Sequence, residues 1–306
     1  MATPETGLAP VPPSAAAAAP RFGEIYDRGY KHYDGPRLGR SHAIRALVTY
    51  SMKRALGIKK GVGAKIIPIL LYVGVLLPVV IDVGIRAFLP SATVFADYSD
   101  FFGFIFVIEG IFVATIAPEM LCGDRRENVL PLYFSRALTR ADYLLAKLLA
   151  AAVLTLTVSF LPAAILWLGR QLLEDSPLRA MGNNLGDLGR LALAGVLIAL
   201  YLGAIGLLIS SFTGRKSIAV GIIVLGFLIA EALAGALIEG IEGETDLDRY
   251  VVFLSPTNTV QGFVAGLFNE VDVARQWESA WVYGGVMAAI VLVCGAVMYW
   301  RYVPDE

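Results

Sequence analysis

Charge is scarce in this sequence. Only 17% of its 306 residues are Asp, Glu, Lys or Arg, against about 25% in soluble domains, while 57% are hydrophobic. That balance excludes an ordinary soluble class and makes the bilayer the solvent for most of the chain. Histidine and cysteine are scarcer still. Both histidines, His32 and His42, precede the first apolar run, and no HExxH occurs, which argues against an intramembrane metalloprotease. The two cysteines, Cys122 in a polar loop and Cys294 in an apolar run, indicate neither a disulfide framework nor a metal site. No G-x-x-x-x-G-K-[ST] loop is present, and TGRKS at Thr213–Ser217 shares only its end. The chain is therefore read as no ATPase in itself, with no catalytic residue and no cofactor of its own.

What is there in quantity is long apolar runs. Six are placed at about 66–89, 101–119, 144–169, 188–212, 217–240 and 281–300, giving an all-α membrane protein with six transmembrane helices. Pro68 and Pro78 should bend the first span and Pro162 the third. Small residues (Gly203 and Gly206; Gly226, Ala230 and Ala234; Gly285 and Ala289) should allow close helix contact. Three regions follow: 1–20, a Pro/Ala-rich tail read as disordered and not as a signal peptide; 21–65, a basic region; and 66–306, the six-span domain. Within the basic region Ile44, Leu47, Val48, Met52, Ala55 and Leu56 share one helical face and Arg45, Thr49 and Lys53 another. This is read as an interfacial amphipathic helix, with Ser41 as N-cap and Gly57 as stop. A nucleic-acid role for it is set aside in favour of the lipid surface.

Basic residues set the orientation. The amino-terminal region holds eleven Lys and Arg, the 120–147 segment five, the turn at Arg215 and Lys216 two, and the carboxyl end Arg301; the alternate side collects six. Nineteen against six places both termini in the cytoplasm of a multi-pass cell-membrane protein. The loop at about 241–280 then lies outside. It is acidic first (Glu242, Glu244, Asp246, Asp248), then semi-apolar (VVFLSPTNTVQGFVAGLF), a stretch too short to cross but able to dip back into the bilayer.

The polar interval Ala117–Leu149, APEMLCGDRRENVLPLYFSRALTRADYLLAKLL, organises the rest. It leaves one span at Pro118, carries a short apolar ridge of Leu132, Tyr133 and Phe134 among Arg125, Arg126, Glu127 and Arg136, and enters the next span. Thr139 with Asp142 three residues on has the capping-box spacing. An acid at a span end (Glu119), a basic run, "LPLYFSR" and "LTRADYLLAK" up to Lys147 resemble the permease subunit of ABC-2 type transporters; Ala137 stands where many relatives carry proline. The resemblance implies that this loop is a coupling helix touching a separate ABC ATPase subunit, where ATP and Mg would bind. It also implies a homodimer or a pairing with a paralogous permease, and export driven by the partner's ATP hydrolysis. The alternative is a self-contained channel or proton-coupled secondary transporter.

Three acids lie inside spans, where a lone charge costs several kcal/mol. Asp82 has Arg86 one turn on, read as a structural ion pair. Glu109 and Glu231 have no local partner and are read either as lining a translocation pathway or as bonding a neighbouring helix.

Overall fold

The computed structural model describes residues 35, 38–58, 61–89, 92–134, 138–240, 248–270, 277 and 279–302. The chain divides into Met1–Arg37, where Gly35 alone is described, and one compact unit, Leu38–Glu306. The tail over 1–20, Arg136, and the acidic Glu242, Glu244 and Asp246 lie outside the described residues.

Every regular element among the described residues is helical: α1 (Arg40–Ala55), α2 (Gly63–Phe88), α3 (Tyr98–Arg126), α4 (Leu130–Phe134), α5 (Arg140–Leu172), α6 (Pro177–Asn183), α7 (Leu185–Phe212), α8 (Lys216–Gly240), α9 (Asp248–Val251), α10 (Pro256–Phe268) and α11 (Ala280–Tyr302). Six of them, α2, α3, α5, α7, α8 and α11, are long and apolar enough to cross a membrane. Even α11, with 23 residues, reaches about 35 Å at about 1.5 Å per residue, more than the hydrocarbon thickness. Helices α2 and α5 run unbroken through Pro68, Pro78 and Pro162.

The spans are not equivalent. Of the most apolar stretch of α3, 67% is buried within the chain, but only 17% of that of α8. Helix α3 is thus the central post, packed by α5, α7, α8 and α10, while most of α8 faces outward. Gly206 of α7 makes one such approach possible, since a Cβ there would lie 2.4 Å from Val113 Cγ1 of α3. Gly226 and Gly285 make no such approach within the chain, since they lie on outward faces of α8 and α11, whereas Ala234 of α8 is buried.

Three boundaries differ from the sequence reading. Helix α3 does not end at Pro118; it carries that buried proline and continues to Arg126. It can do so because Glu119, Asp124 and Arg125 each find a partner from another element. It stops at Asn128, whose left-handed φ of 51° suits asparagine at a helix end. Helix α1 begins at Arg40 after Gly39, so Ser41 is not its cap. Gly57, at φ +67°, does close that segment. The apolar face of α1 is turned onto the chain's own α3 and α5, with Leu47, Ser51 and Ala55 buried and Arg45, Thr49 and Lys53 outward.

The semi-apolar loop becomes α9, a 3-10 turn and α10. Helix α10 has 13 residues, about 20 Å, and buries Val260, Phe263 and Val264. It starts beside Glu231, well inside α8, and ends beside Tyr98 at the start of α3. The chain therefore dips into the bundle and climbs out again.

Candidate functional site

The site is built at the end of the bundle where α3 stops, α4 forms and α5 starts. Local rules explain the turn. Thr139 Oγ1 accepts from the Asp142 amide at 3.2 Å, and Asp142 Oδ2 accepts from the Thr139 amide at 3.0 Å, closing the capping box. Arg40 of α1 adds two bonds to the same carboxylate, at 2.8 and 2.7 Å. Facing Asp142 holds the Arg40 guanidinium above its ordinary pKa.

Beneath the turn lies a buried charge cluster. Asp124, fully withdrawn from solvent, receives Arg54 Nη1 of α1 at 2.7 Å, Lys147 Nζ of α5 at 2.7 Å and the Tyr143 hydroxyl of α5 at 3.0 Å. Lys147 Nζ also donates to the Met120 carbonyl at 2.9 Å. Two cations and a hydroxyl on one carboxylate satisfy what burial would otherwise make prohibitive. Burial works against the Arg54 charge, but Asp124, Tyr50, Glu127 and Glu119 outweigh it and raise the Arg54 pKa. Gly123 makes the approach possible, because a Cβ there would sit 1.8 Å from Arg54 Nη2. None of Arg54, Asp124 and Tyr143 was singled out from the sequence, and Lys147 was counted only as a positive charge. A signal was present: Asp124 falls at helical spacing with Val113, Ala117 and Met120, on the buried face of α3.

Other bonds tie the remaining span ends to this point. Arg125 donates to the Ser211 carbonyl at the end of α7, and Arg301 Nε of α11 donates to the same oxygen at 3.0 Å. Cations there also suit the negative end of the α7 dipole. Lys216 Nζ, opening α8, lies 2.6 Å from Glu119 Oε2.

The ridge of α4 is not the bare anchor its composition indicates. The Tyr133 and Phe134 rings stand 5.8 and 6.0 Å from the Tyr143 ring, half-buried on the chain's own core. Burial raises the Tyr133 hydroxyl above its ordinary pKa, and the nearby Asp124 adds to it. The side chain of Leu132 lies outside the described residues, as does Arg136. The outward face is instead Arg126, Glu127, Asn128 and Pro131.

The intramembrane acids part company. Arg86 Nε lies 2.9 Å from Asp82 Oδ2, and Asp82 Oδ1 also accepts the Val94 and Phe95 amides at 2.8 and 3.1 Å, so the pair shapes the α2–α3 loop. Glu231 of α8 accepts from the Ser255 hydroxyl at 2.6 Å and from the Thr257 amide and hydroxyl at 2.8 and 2.7 Å. A carboxylate at the first turn of α10 completes orphan donors and faces the positive end of the helix dipole. Glu231 is only half-buried and, with Phe106, Gly110 and Phe227, lines a pocket of about 200 Å³ between α3 and α8. At its other end α10 hands over to α3: Glu270 accepts the Tyr98 and Ser99 amides at 3.0 and 2.9 Å. Glu109 is fully buried on α3 beside the Ser159 hydroxyl of α5, and among the described residues no cation pairs with it. The Thr155 hydroxyl, one turn before Ser159 on α5, is buried as well.

No curated protein matches the chain. A family model described as "ABC-2 family transporter protein" matches residues 18–303, nearly the whole length. With six membrane-length helices and no strand among the described residues, the chain is a multi-pass membrane transport subunit that belongs to the ABC-2 transporter family.

Proposed function

We propose that the chain is the permease half of an ATP-driven exporter, coupled to a separate ABC ATPase subunit through the turn between α3 and α5. The observation that carries this reading is Asp124. Through it, a load on the short α4 turn reaches α1, α3 and α5 together, and the Arg125 and Arg301 bonds extend it to α7 and α11. A loose surface loop would dissipate such a load, whereas packed elements sharing buried ion pairs move as a unit. ATP and Mg would sit on the ATPase, which would meet the outward residues Arg126 and Glu127 while Tyr133 and Phe134 seat α4 on the core.

In this reading both termini and α4 are cytoplasmic. The exposed α8 and the adjoining face of α3 meet a second copy, or a paralogous permease, and the cargo passes between them near Glu231. The buried Glu109 carboxyl, which has no cation beside it among the described residues, favours a second reading, a proton-coupled carrier, since an unpaired charge in such a place is costly. Affinity purification of the tagged chain from its native membrane separates the two. A co-purifying nucleotide-binding subunit, with vesicle transport that requires ATP, supports the exporter. Transport that follows a proton gradient without ATP would refute it.

A further inference from the structure

At the α4 end, α5 and α11 frame two adjoining spaces of opposite character. The first is a cleft of about 670 Å³ whose polar wall is Arg125, Arg140 and Arg301, with Phe134 and Tyr302 beside them. Arg125 and Arg301 are fixed by the shared Ser211 carbonyl, and the Arg140 guanidinium stacks 5.8 Å over the Phe134 ring. Among the described residues no carboxylate pairs with any of these three arginines. The second space is a groove of about 430 Å³ between the same two helices, almost wholly apolar, with Leu145, Leu148, Val291, Leu292 and Met298 among its walls. Ala141 follows Arg140 directly and Tyr299 lies two residues before Arg301, so the groove opens where the cleft ends.

We propose that this is a binding site for one anionic phospholipid, its phosphate held by Arg140, Arg301 and Arg125 and an acyl chain laid along the α5–α11 groove. The chemistry of both halves is required. Guanidinium groups pair with phosphate oxygens in a planar, bidentate fashion, and three of them without a carboxylate among the described residues, at a bilayer edge, attract anionic headgroups. A free anion would need only the cleft, and an acidic side chain of a partner protein would leave the groove unexplained. A lipid seated here braces α11 against α5 directly beneath α4.

Native mass spectrometry of the detergent-purified full chain, incubated with equal phosphatidylglycerol and phosphatidylcholine, tests the site. The unaltered chain should retain phosphatidylglycerol in preference. Arg140→Gln with Arg301→Gln should lower that retention roughly thirtyfold, from the usual contribution of each basic residue near anionic lipid. Arg215→Gln, at the same end of the bundle but outside the cleft, should leave it unchanged. Ala296→Trp, which fills the groove and alters no charge, should also lower retention. Arg140→Lys with Arg301→Lys preserves the charges but not the bidentate geometry, so it should fold as the parent does and retain clearly more lipid than the glutamine pair, though less than the parent, which guards against misfolding of the glutamine pair. Equal retention of the two lipids would overturn the proposal. So would loss with the arginine pair but not with Ala296→Trp, the signature of an anion or acidic peptide alone. Lipid uptake that appears only after deletion of residues 303–306 would show that Asp305 and Glu306 fill the cleft, and would overturn it too.

Discussion

Lys147 Nζ lies 2.7 Å from Asp124 Oδ2, and both side chains are removed from solvent. One comes from the last turns of α3 and the other from the second turn of α5, so the pair closes the polar loop from below. Removing one partner of a buried ion pair strands the other, at about 3–5 kcal/mol. Asp124→Ala or Lys147→Ala should therefore lower the unfolding midpoint in detergent markedly. Asp124→Leu combined with Lys147→Met should recover part of that loss, though Arg54 remains to be solvated. Equal midpoints for the parent and Asp124→Ala would show that the cluster holds nothing together.

Gly123→Ala should act through Arg54 alone. The added methyl would overlap Arg54 Nη2, so the guanidinium must shift, and its bond to Asp124 should lengthen or break. The expected cost is on the order of 1–3 kcal/mol, that of an ion left without its partner's bond. In an Arg54→Ala background the same glycine change should cost almost nothing. A double-mutant cycle measures the difference, and additive effects would contradict the mechanism.

The interface with the ATPase should respond to charge on the outward face of the turn. Arg126→Glu together with Glu127→Lys should reduce capture of the co-purifying ATPase, while Arg215→Glu does not. Tyr133→Ala with Phe134→Ala should first lower stability, because those rings rest on Tyr143. Full ATPase capture by the correctly folded charge-reversed chain would move the docking site elsewhere.

Topology is open to direct chemical test. In a background lacking Cys122 and Cys294, a cysteine placed at 246 should react with an impermeant thiol reagent from outside. A cysteine at 126 should react only after permeabilisation. Reaction of both from the same side would end the six-span orientation.

Glu231→Ala removes three acceptor contacts from the first turn of α10. Loss of such a cap costs about 0.5–2 kcal/mol, and transport should fall if cargo passes near this turn. Glu231→Gln retains one acceptor and should fold better while transporting less than the parent. Unchanged transport by Glu231→Gln would leave the residue a purely structural cap. At the other end of α10, burial raises the Glu270 carboxyl pKa against the opposing pull of the Tyr98 and Ser99 amides. The sign follows from linkage: a raised folded pKa favours the fold at low pH, and that share is lost as pH rises through it. Stability measured from pH 4 to 8 should decline less in Glu270→Gln than in the parent.

Several features were legible without coordinates because they depend on short stretches of chain. Each span needs only about twenty apolar residues in a row, and the capping box at Thr139 and Asp142 needs only four positions. The dip at α10 follows from an apolar run too short to cross. What composition could not decide is which faces meet. Hydropathy ranks α8 and α3 alike, at 2.4 and 2.1, yet one is peripheral and the other central, since lipid and protein interior are equally apolar. The extension of α3 past Pro118, the inward turn of Tyr133 and Phe134, and the gathering of Arg54, Asp124, Tyr143 and Lys147 all depend on side chains from helices distant in sequence. A lone charge in such a sequence reads as solvent-facing by default. Only the tertiary structure supplies the opposite charge that lets it be buried.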